Sequence, residues 1–268
     1  MSGRNRSPLE PISGGFCASL AAWLGVATRI VGVVSAQATA TSDSFVARRV
    51  LEAPVDRIGP LVYATAGVKG LEYALLGLLL LVYAGLNLNP LTARLLPVAV
   101  FFLVFYSYTK RFTWLCHYVL GLTIGAAAAG GWIAVTGSFA PTAYALWAGV
   151  GLWIAGFDIL YATQDYAFDR AHGVKSIPAR FGIPQALRVA RASHLLAWLA
   201  FLWAGVSYGA GPLYYLGLLL VGGLLLLEHR LVSPEDLSKV EVAFFQANVG
   251  VSLGMFLFIV LDLLARGA

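Results

Sequence analysis

The sequence predicts an all-α, polytopic bundle of membrane-spanning helices. Of its 268 residues, 59% are hydrophobic and 12% are charged. That charged fraction is about half of what a soluble domain carries. The apolar residues form runs that approach the ~20 residues a helix needs to cross a bilayer. Because lipid cannot satisfy open backbone groups, these runs are expected to be helices rather than sheet.

The N-terminal quarter of the chain contains one weak candidate span, Phe16–Ala38, which Arg29 interrupts. Residues 39–70 that follow are polar and irregular, with charged residues and prolines instead of an apolar run. We therefore assign residues 1–66 to an atypical N-terminal region and residues 67–268 to the transmembrane bundle.

Seven stronger spans follow, and the short segments between them contain turn-forming residues such as Asn, Gly and Pro. The predicted spans are Leu71–Leu86, Leu91–Tyr108, Trp114–Val135, Pro141–Ala162, Ala186–Ser207, Leu213–Leu227 and Val242–Leu264. Within the third span, four glycines predict close contact with a neighbouring helix: Gly121, Gly125, Gly130 and Gly131.

The positive charges indicate the orientation of the bundle. After residue 39, thirteen Lys and Arg residues fall in or beside one set of alternate loops, whereas the other set has only Arg94 and Arg266. The side that collects the basic residues is expected to be cytoplasmic. The net charge of +5 is explained by these loops, and no basic stripe with interleaved aromatic residues is present. We therefore expect a lipid bilayer as a partner and no nucleic acid.

The stretch Gly156–Gly182 on this cytoplasmic side contains three acids, Asp158, Asp165 and Asp169, which lie seven and four residues apart. On a continued helix, this spacing places the second and third carboxylates within about 20° of the first. Like charges in one place repel, and a bound cation is the usual compensation. Mg²⁺ typically binds to a few carboxylates together with substrate phosphates. Lys175 and Arg180 follow and could hold the anionic end of a ligand.

The alternative is that these acids are solvated at the membrane surface, with Arg170 and Lys175 as ion-pair partners. Asp158 argues against this interpretation, because it lies on the membrane side of the group after a long uncharged run. An acid at that depth is by default a functional candidate.

A second polar group, Tyr106 and Lys110, lies at the same side of the membrane. The two residues are four apart, so they are predicted to share a helix face. An interfacial tyrosine and a flanking lysine are ordinary at a membrane surface. Beside an acidic cluster, however, Lys110 becomes a candidate phosphate ligand. His117, in the next apolar span, is interpreted as a packed residue rather than a ligand.

These motifs resemble those of a known family. The segments Asp165–Asp169 and Ser176–Gly182 resemble the second aspartate motif of the UbiA superfamily of intramembrane prenyltransferases, and Tyr106 with Lys110 matches its YxxxK element. The chain is most similar to the bacterial 4-hydroxybenzoate polyprenyltransferase branch, including its menaquinone-pathway members. Further similar segments are Tyr106–Thr113, Leu120–Gly121 and Trp132–Gly137, and the resemblance extends from about Gly67 to the C-terminus.

The resemblance implies a bundle of nine transmembrane helices, of which eight are recognisable here, around a cavity open to the cytoplasm and to lipid. It also implies an enzyme of the inner (plasma) membrane that works in quinone biosynthesis. The substrates would be a polyprenyl diphosphate and an aromatic acid such as 4-hydroxybenzoate, and the cofactor would be Mg²⁺.

The resemblance further implies roles for individual residues. Asp165 and Asp169 would hold Mg²⁺ bridged to diphosphate, and Asp158 would be a nearby acid on the membrane side. Basic side chains would neutralise the diphosphate, and tyrosine rings would stabilise the allylic cation. The basic residues are Lys110, Lys175 and Arg180, and the tyrosines are Tyr106 and Tyr161.

The chain departs from the family pattern at the first aspartate motif. No NxxxDxxxD occurs between Ala36 and Gly70, where Asp43 and Asp56 are the only aspartates. One explanation is a divergent enzyme that uses Asp43 or Asp56 instead. Another is an impaired or non-enzymatic member whose N-terminal part is truncated and partly read out of frame. A small transporter is the third alternative, but its acids would be spread through the midplane rather than clustered at one end.

Overall fold

A computed structural model describes residues 75–267 of the protein, and this part of the chain contains helices and short connections but no strand. The predicted span Phe16–Ala38, residues 71–74 of the next predicted span, and the acids Asp43 and Asp56 all lie outside the described residues. The observed all-helical architecture confirms the predicted fold class.

Nine α-helices occur in the described part of the chain. They are α1 (Leu75–Asn87), α2 (Pro90–Phe105), α3 (Cys116–Thr136), α4 (Pro141–Tyr161), α5 (Tyr166–His172), α6 (Ile177–Phe181), α7 (Ile183–Tyr208), α8 (Pro212–Leu231) and α9 (Val240–Ala265). A 3₁₀ helix, Tyr106–Arg111, extends α2. Helix α2 together with its 3₁₀ extension is long and apolar enough to cross a membrane, and so are α3, α4, α7, α8 and α9. Six of the seven stronger spans are thus confirmed, and the protein is a multi-pass membrane protein.

The helices begin and end where the sequence supplies the required chemistry. Proline occupies the first or second position of α2, α4, α6, α7 and α8, where a missing N–H costs nothing. Gly137 and Gly209 end α3 and α7 with left-handed backbone, φ 65° and 71°. Asn89 caps α2 with its side-chain oxygen, and its amide also donates to the carbonyls of Ile133 and Ala134 in α3.

Helix α4 lies at the centre of the bundle and packs against α3 on one side and α7 on the other, while α8 and α9 form a second closely packed pair. The α3–α4 contact is tight, as the glycine prediction required. A Cβ atom on Gly121 would lie 2.1 Å from the carbonyl oxygen of Gly151, and one on Gly125 would lie 2.7 Å from the nitrogen of Gly151. For Gly130 the prediction is not confirmed, because no atom of residues 75–267 lies within 4 Å of a Cβ placed there.

A buried acid links α8 and α9 at the end of the pair that lies away from the predicted cytoplasmic side. Asp262 of α9 is buried, and it accepts hydrogen bonds from the backbone N–H groups of Gly211 (2.8 Å) and Tyr214 (3.3 Å) at the start of α8. Arg266 lies 3.5 Å from the same carboxylate. The charge therefore sits at the positive end of the α8 dipole, where an anion is stabilised.

Candidate functional site

The acidic stretch does not form one continued helix, so that part of the sequence prediction is wrong. Helix α4 ends at Tyr161 and α5 begins at Tyr166. Across the junction, the N–H groups of residues 163–166 each donate to the carbonyl three residues earlier. The Thr163 hydroxyl supports this tight turn with a 2.6 Å hydrogen bond to the carbonyl of Leu160. Because such a turn advances by roughly 120° rather than 100° per residue, the helical phase between Asp158 and Asp165 is lost.

Asp165 and Asp169 keep the predicted relationship to each other. The N–H of Asp169 donates to the carbonyl of Asp165 at 2.8 Å, so the two acids are one helical turn apart on one face. Asp169 is buried, and Asp165 is partly buried just before α5. Burial raises the pKa of Asp165, and the charges of Asp169 and Asp158 raise it further against the opposing charge of Lys110.

The loop after α5 folds back so that two of its residues hydrogen-bond to Asp169. Gly173 ends α5 with a left-handed φ of 67°, and the N–H of Val174 donates to the carbonyl of Asp169 at 2.9 Å. The buried Ser176 hydroxyl donates to Oδ2 of Asp169 at 2.7 Å. The Ser176 hydroxyl oxygen also accepts a 3.2 Å hydrogen bond from the N–H of Ala179 and thereby caps α6. The short α6 helix is thus attached directly to the candidate metal ligand.

Lys110 approaches these acids from the other side. It interacts electrostatically with Asp158, Asp165 and Asp169, and its carbonyl accepts a 2.9 Å hydrogen bond from the N–H of Lys175. The structure therefore places the predicted lysine within electrostatic range of all three predicted carboxylates, although none of the described ion pairs joins Lys110 to a carboxylate. This is the charge arrangement that a metal–diphosphate group requires.

The predicted shared face of Tyr106 and Lys110 is wrong, because these residues lie in a 3₁₀ helix and not an α-helix. With three residues per turn, positions four apart are separated by roughly 120° around the axis. Tyr106 is partly buried, and its carbonyl accepts a hydrogen bond from the Thr109 hydroxyl.

Lys175 and Arg180 lie in the loop and in α6 beside the acids, but both are exposed and have other contacts. The Lys175 ammonium donates to the carbonyl of Phe112 at 3.3 Å, and the Arg180 guanidinium lies over the Phe181 ring. Among the described ion pairs, neither residue is joined to Asp165 or Asp169. A role for them in diphosphate binding remains a prediction.

A row of aromatic rings runs along the last part of α4, which ends at Tyr161. Tyr161, in the last turn of α4, packs its ring 4.7 Å from that of Phe244 in α9. Phe157 lies one turn earlier, 5.2 Å from the same Phe244 ring, and Trp153 continues the row along α4. We call these four rings, of Trp153, Phe157, Tyr161 and Phe244, the aromatic floor. Tyr161 is the predicted site residue in this row.

His117 is packed, as the sequence interpretation expected, but that interpretation missed its contacts with the candidate site residues. Its ring is fully buried, with Nδ1 2.6 Å from Oδ2 of Asp158. Its Nε2 accepts a 3.3 Å hydrogen bond from the N–H of Ile177 in α6. The available signal was its position, seven residues after Lys110, in an otherwise apolar span.

The described residues include no group of three or more His, Cys, Asp or Glu side chains that could hold a metal ion. Asp165 and Asp169 alone present two carboxylates on one face. Mg²⁺ suits such a pair, because in proteins it commonly uses one or two carboxylates with water and substrate phosphates. The donor set present here thus fits Mg²⁺ held jointly with a diphosphate.

Comparison with known proteins identifies a family. The profile of the UbiA prenyltransferase family matches residues 65–258. A protein named 4-hydroxybenzoate octaprenyltransferase from Shewanella sediminis is 29% identical over 228 residues, which cover 84% of this chain and 79% of that one. A protein of the same name from Methylococcus capsulatus is 33% identical over 244 residues, covering 87% and 82%.

A solved structure shares the fold. The apo structure of a UbiA homolog from Aeropyrum pernix superimposes with a TM-score of 0.68 at 24% sequence identity, covering 93% of this chain and 86% of that chain.

Proposed function

The chain belongs to the UbiA prenyltransferase family, and we propose that it transfers a polyprenyl group from its diphosphate to an aromatic acid such as 4-hydroxybenzoate in quinone biosynthesis. The observation that carries this proposal is the convergence of Lys110 with Asp158, Asp165 and Asp169. The names of the Shewanella and Methylococcus relatives support the choice of acceptor.

The charged residues act on the leaving group. Diphosphate departs readily only when its negative charge is neutralised. Lys110 supplies one fixed positive charge, and Asp165 and Asp169 are the residues that would hold Mg²⁺. When bound, Mg²⁺ supplies Lewis-acid stabilisation of the departing charge. Lys175 and Arg180 are close enough in the chain to reach the outer diphosphate oxygens after leaving their present contacts.

The aromatic floor acts on the prenyl group. The carbon left behind by diphosphate carries positive charge, which aromatic ring faces attract and which water would quench. Tyr161 carries such a ring in the last turn of α4, three residues after Asp158, and Tyr106 carries another at the start of the 3₁₀ helix that follows α2. The aromatic acceptor then attacks this carbon, forming a carbon–carbon bond, and loses a ring proton to restore its aromaticity.

The site is proposed to face the cytoplasm from the inner (plasma) membrane. The loops that carry Lys110, Asp165 and Asp169 belong to the side with most of the Lys and Arg residues. A water-soluble aromatic acid would enter from that side, and the prenyl chain would enter from the lipid.

Prenyl transfer by the purified, detergent-solubilised chain tests the proposal. Geranyl diphosphate, 4-hydroxybenzoate and Mg²⁺ are the reactants, and Asp165→Asn is the test variant. Asp236→Asn is the matched control, because Asp236 is exposed in the α8–α9 loop. We expect product from the wild type and from D236N, at least a ~100-fold loss in D165N, and complete loss in EDTA that added Mg²⁺ reverses.

The absence of NxxxDxxxD between Ala36 and Gly70 favours a second candidate, an impaired member of the family. In that case no product would form, although diphosphate would still bind in the presence of Mg²⁺. An NxxxDxxxD in another reading frame of the gene would support a disturbed frame. Product formation by the wild type would instead require Asp43, Asp56 or the second motif alone to suffice.

A further inference from the structure

His117 contacts both Asp158 and the segment that holds Asp169. It is the second residue of α3, and its side chain is fully buried. One ring nitrogen contacts Asp158 at the end of α4, and the other contacts the backbone of Ile177 at the start of α6. Three elements that are far apart in the sequence are thus joined through one imidazole.

The backbone contact determines which nitrogen carries the proton. The N–H of Ile177 can only donate, so Nε2 of His117 must present its lone pair. The neutral ring then carries its hydrogen on Nδ1, which donates to Oδ2 of Asp158 at 2.6 Å. Both ring nitrogens are used, and any rotation of the ring would break both hydrogen bonds at once.

Each contact leads to a charged residue of the site. Of the three acids, Asp158 has the strongest electrostatic interaction with Lys110, so the Nδ1 contact fixes the position of the carboxylate that acts most on the lysine. Ile177 directly follows Ser176, whose hydroxyl donates to Asp169, so the Nε2 contact fixes the segment that holds this acid. His117 therefore connects the lysine side of the site with its carboxylate side.

We propose that His117 is a positioning residue of the prenyl-transfer site, which orients Asp158 and through it Lys110 toward the diphosphate. This inference rests on the proposed function, because it concerns the same diphosphate. His117 itself does not contact the substrate. Its contribution is to keep a partly exposed acid, with 22% of its side chain accessible, in one orientation.

Two amide substitutions separate this role from simple packing. In His117→Asn, the side-chain NH₂ occupies the place of Nδ1 and can still donate to Asp158, but the acceptor for Ile177 is lost. In His117→Gln, the side-chain oxygen reaches the place of Nε2 and can still accept from Ile177, but the donor to Asp158 is lost. Each variant removes one hydrogen bond and part of the ring, so both should lose similar stability.

Their activities should differ. With geranyl diphosphate and 4-hydroxybenzoate, we expect both variants to lose kcat/KM for geranyl diphosphate, and H117N to lose at least about threefold less than H117Q. H117Q should lose at least ~10-fold, because a misplaced charged group costs far more in rate than in fold stability. Thermal unfolding of both purified variants checks that their stabilities match.

The second measurement asks whether His117 acts through Asp158. In an Asp158→Asn background, the additional His117→Gln change should cost less than about threefold, since the hydrogen bond it removes has already been altered. A merely structural histidine would give independent, multiplicative losses in the double variant.

Equal losses in H117N and H117Q, or multiplicative losses in the double variant, would overturn the inference. Failure of the proposed function looks different: the wild type itself would make no product and would bind no inorganic diphosphate with Mg²⁺ in calorimetry, and the inference would fall with it. If the wild type binds diphosphate without turnover, the same order of variants is expected in diphosphate affinity, and the reverse order contradicts the inference.

Discussion

Ser176 donates a 2.7 Å hydrogen bond to Oδ2 of Asp169, and both side chains are buried. The serine thereby fixes the direction of a carboxylate that is proposed to hold Mg²⁺. Groups that hydrogen-bond to metal ligands commonly change metal affinity or activity by about 10–100-fold when they are removed.

Ser176→Ala is therefore expected to raise the Mg²⁺ concentration for half-maximal prenyl transfer by at least about tenfold. A Mg²⁺ titration of the initial rate measures this value. Ser238→Ala is the matched control, because Ser238 donates a similar 2.6 Å hydrogen bond to Asp236 in an exposed loop. An unchanged Mg²⁺ requirement in S176A would show that Asp169 needs no orientation by Ser176.

Lys110→Met should lower kcat/KM for geranyl diphosphate by roughly 100-fold, because one fixed charge at the departing group is lost. The neighbouring Arg111→Met is the control. The Arg111 guanidinium lies 5.4 Å from the centre of the Tyr108 ring. Steady-state rates for both variants at saturating Mg²⁺ give the comparison. Similar losses in the two variants would indicate a general effect of surface charge and not a specific role of Lys110.

Gly121→Ala should destabilise the bundle, because the new methyl group would meet the backbone oxygen of Gly151 and not a movable side chain. We expect a loss of about 1–3 kcal/mol. Gly130→Ala, in the same helix, meets nothing within 4 Å and should be neutral or gain up to about 1 kcal/mol from helix propensity. Thermal unfolding in detergent distinguishes the two. Equal melting temperatures would mean that α3 and α4 can separate at little cost.

Orientation in the membrane can be read by labelling single cysteines with an impermeant maleimide, after Cys17→Ser. Arg170→Cys, in α5, should react only in inverted vesicles, whereas Ser138→Cys, between α3 and α4, should react in intact spheroplasts. Both positions are exposed, and the native Cys116 is buried. The opposite pattern would place the candidate site outside the cell and contradict the proposed cytoplasmic entry of the aromatic acid.

The helices could be predicted from the sequence because membrane hydropathy and turn residues are local signals. The predicted Pro141–Ala162 and Val242–Leu264, for example, agree with α4 and α9 to within two residues at each end. The angular relationship between Asp158 and Asp165 around the helix axis was not predictable in the same way. It depends on whether the N–H groups of residues 163–166 donate to the carbonyl three or four positions earlier. No residue type in this segment predicts which of the two occurs.

His117 shows the other limit of sequence reasoning. Its partners lie 41 and 60 residues away, so its role exists only after α3, α4 and α6 have packed. Taken alone, a histidine in an apolar run is more often a packed residue. The resemblance to a family pointed to Asp165, Asp169 and Lys110, but it did not indicate what holds them in place.

Asp262 raises a question of biogenesis. In the proposed orientation, this charge has to cross the bilayer when α9 inserts, and an isolated aspartate at the centre of an inserting helix costs about 2.5–3.5 kcal/mol. In the folded bundle, the N–H groups of Gly211 and Tyr214 donate hydrogen bonds to this carboxylate, and both residues lie at the start of the preceding helix, α8. If α8 and α9 leave the translocon as one hairpin, the acid travels already bound. We therefore expect these two helices to insert as a unit rather than one after the other.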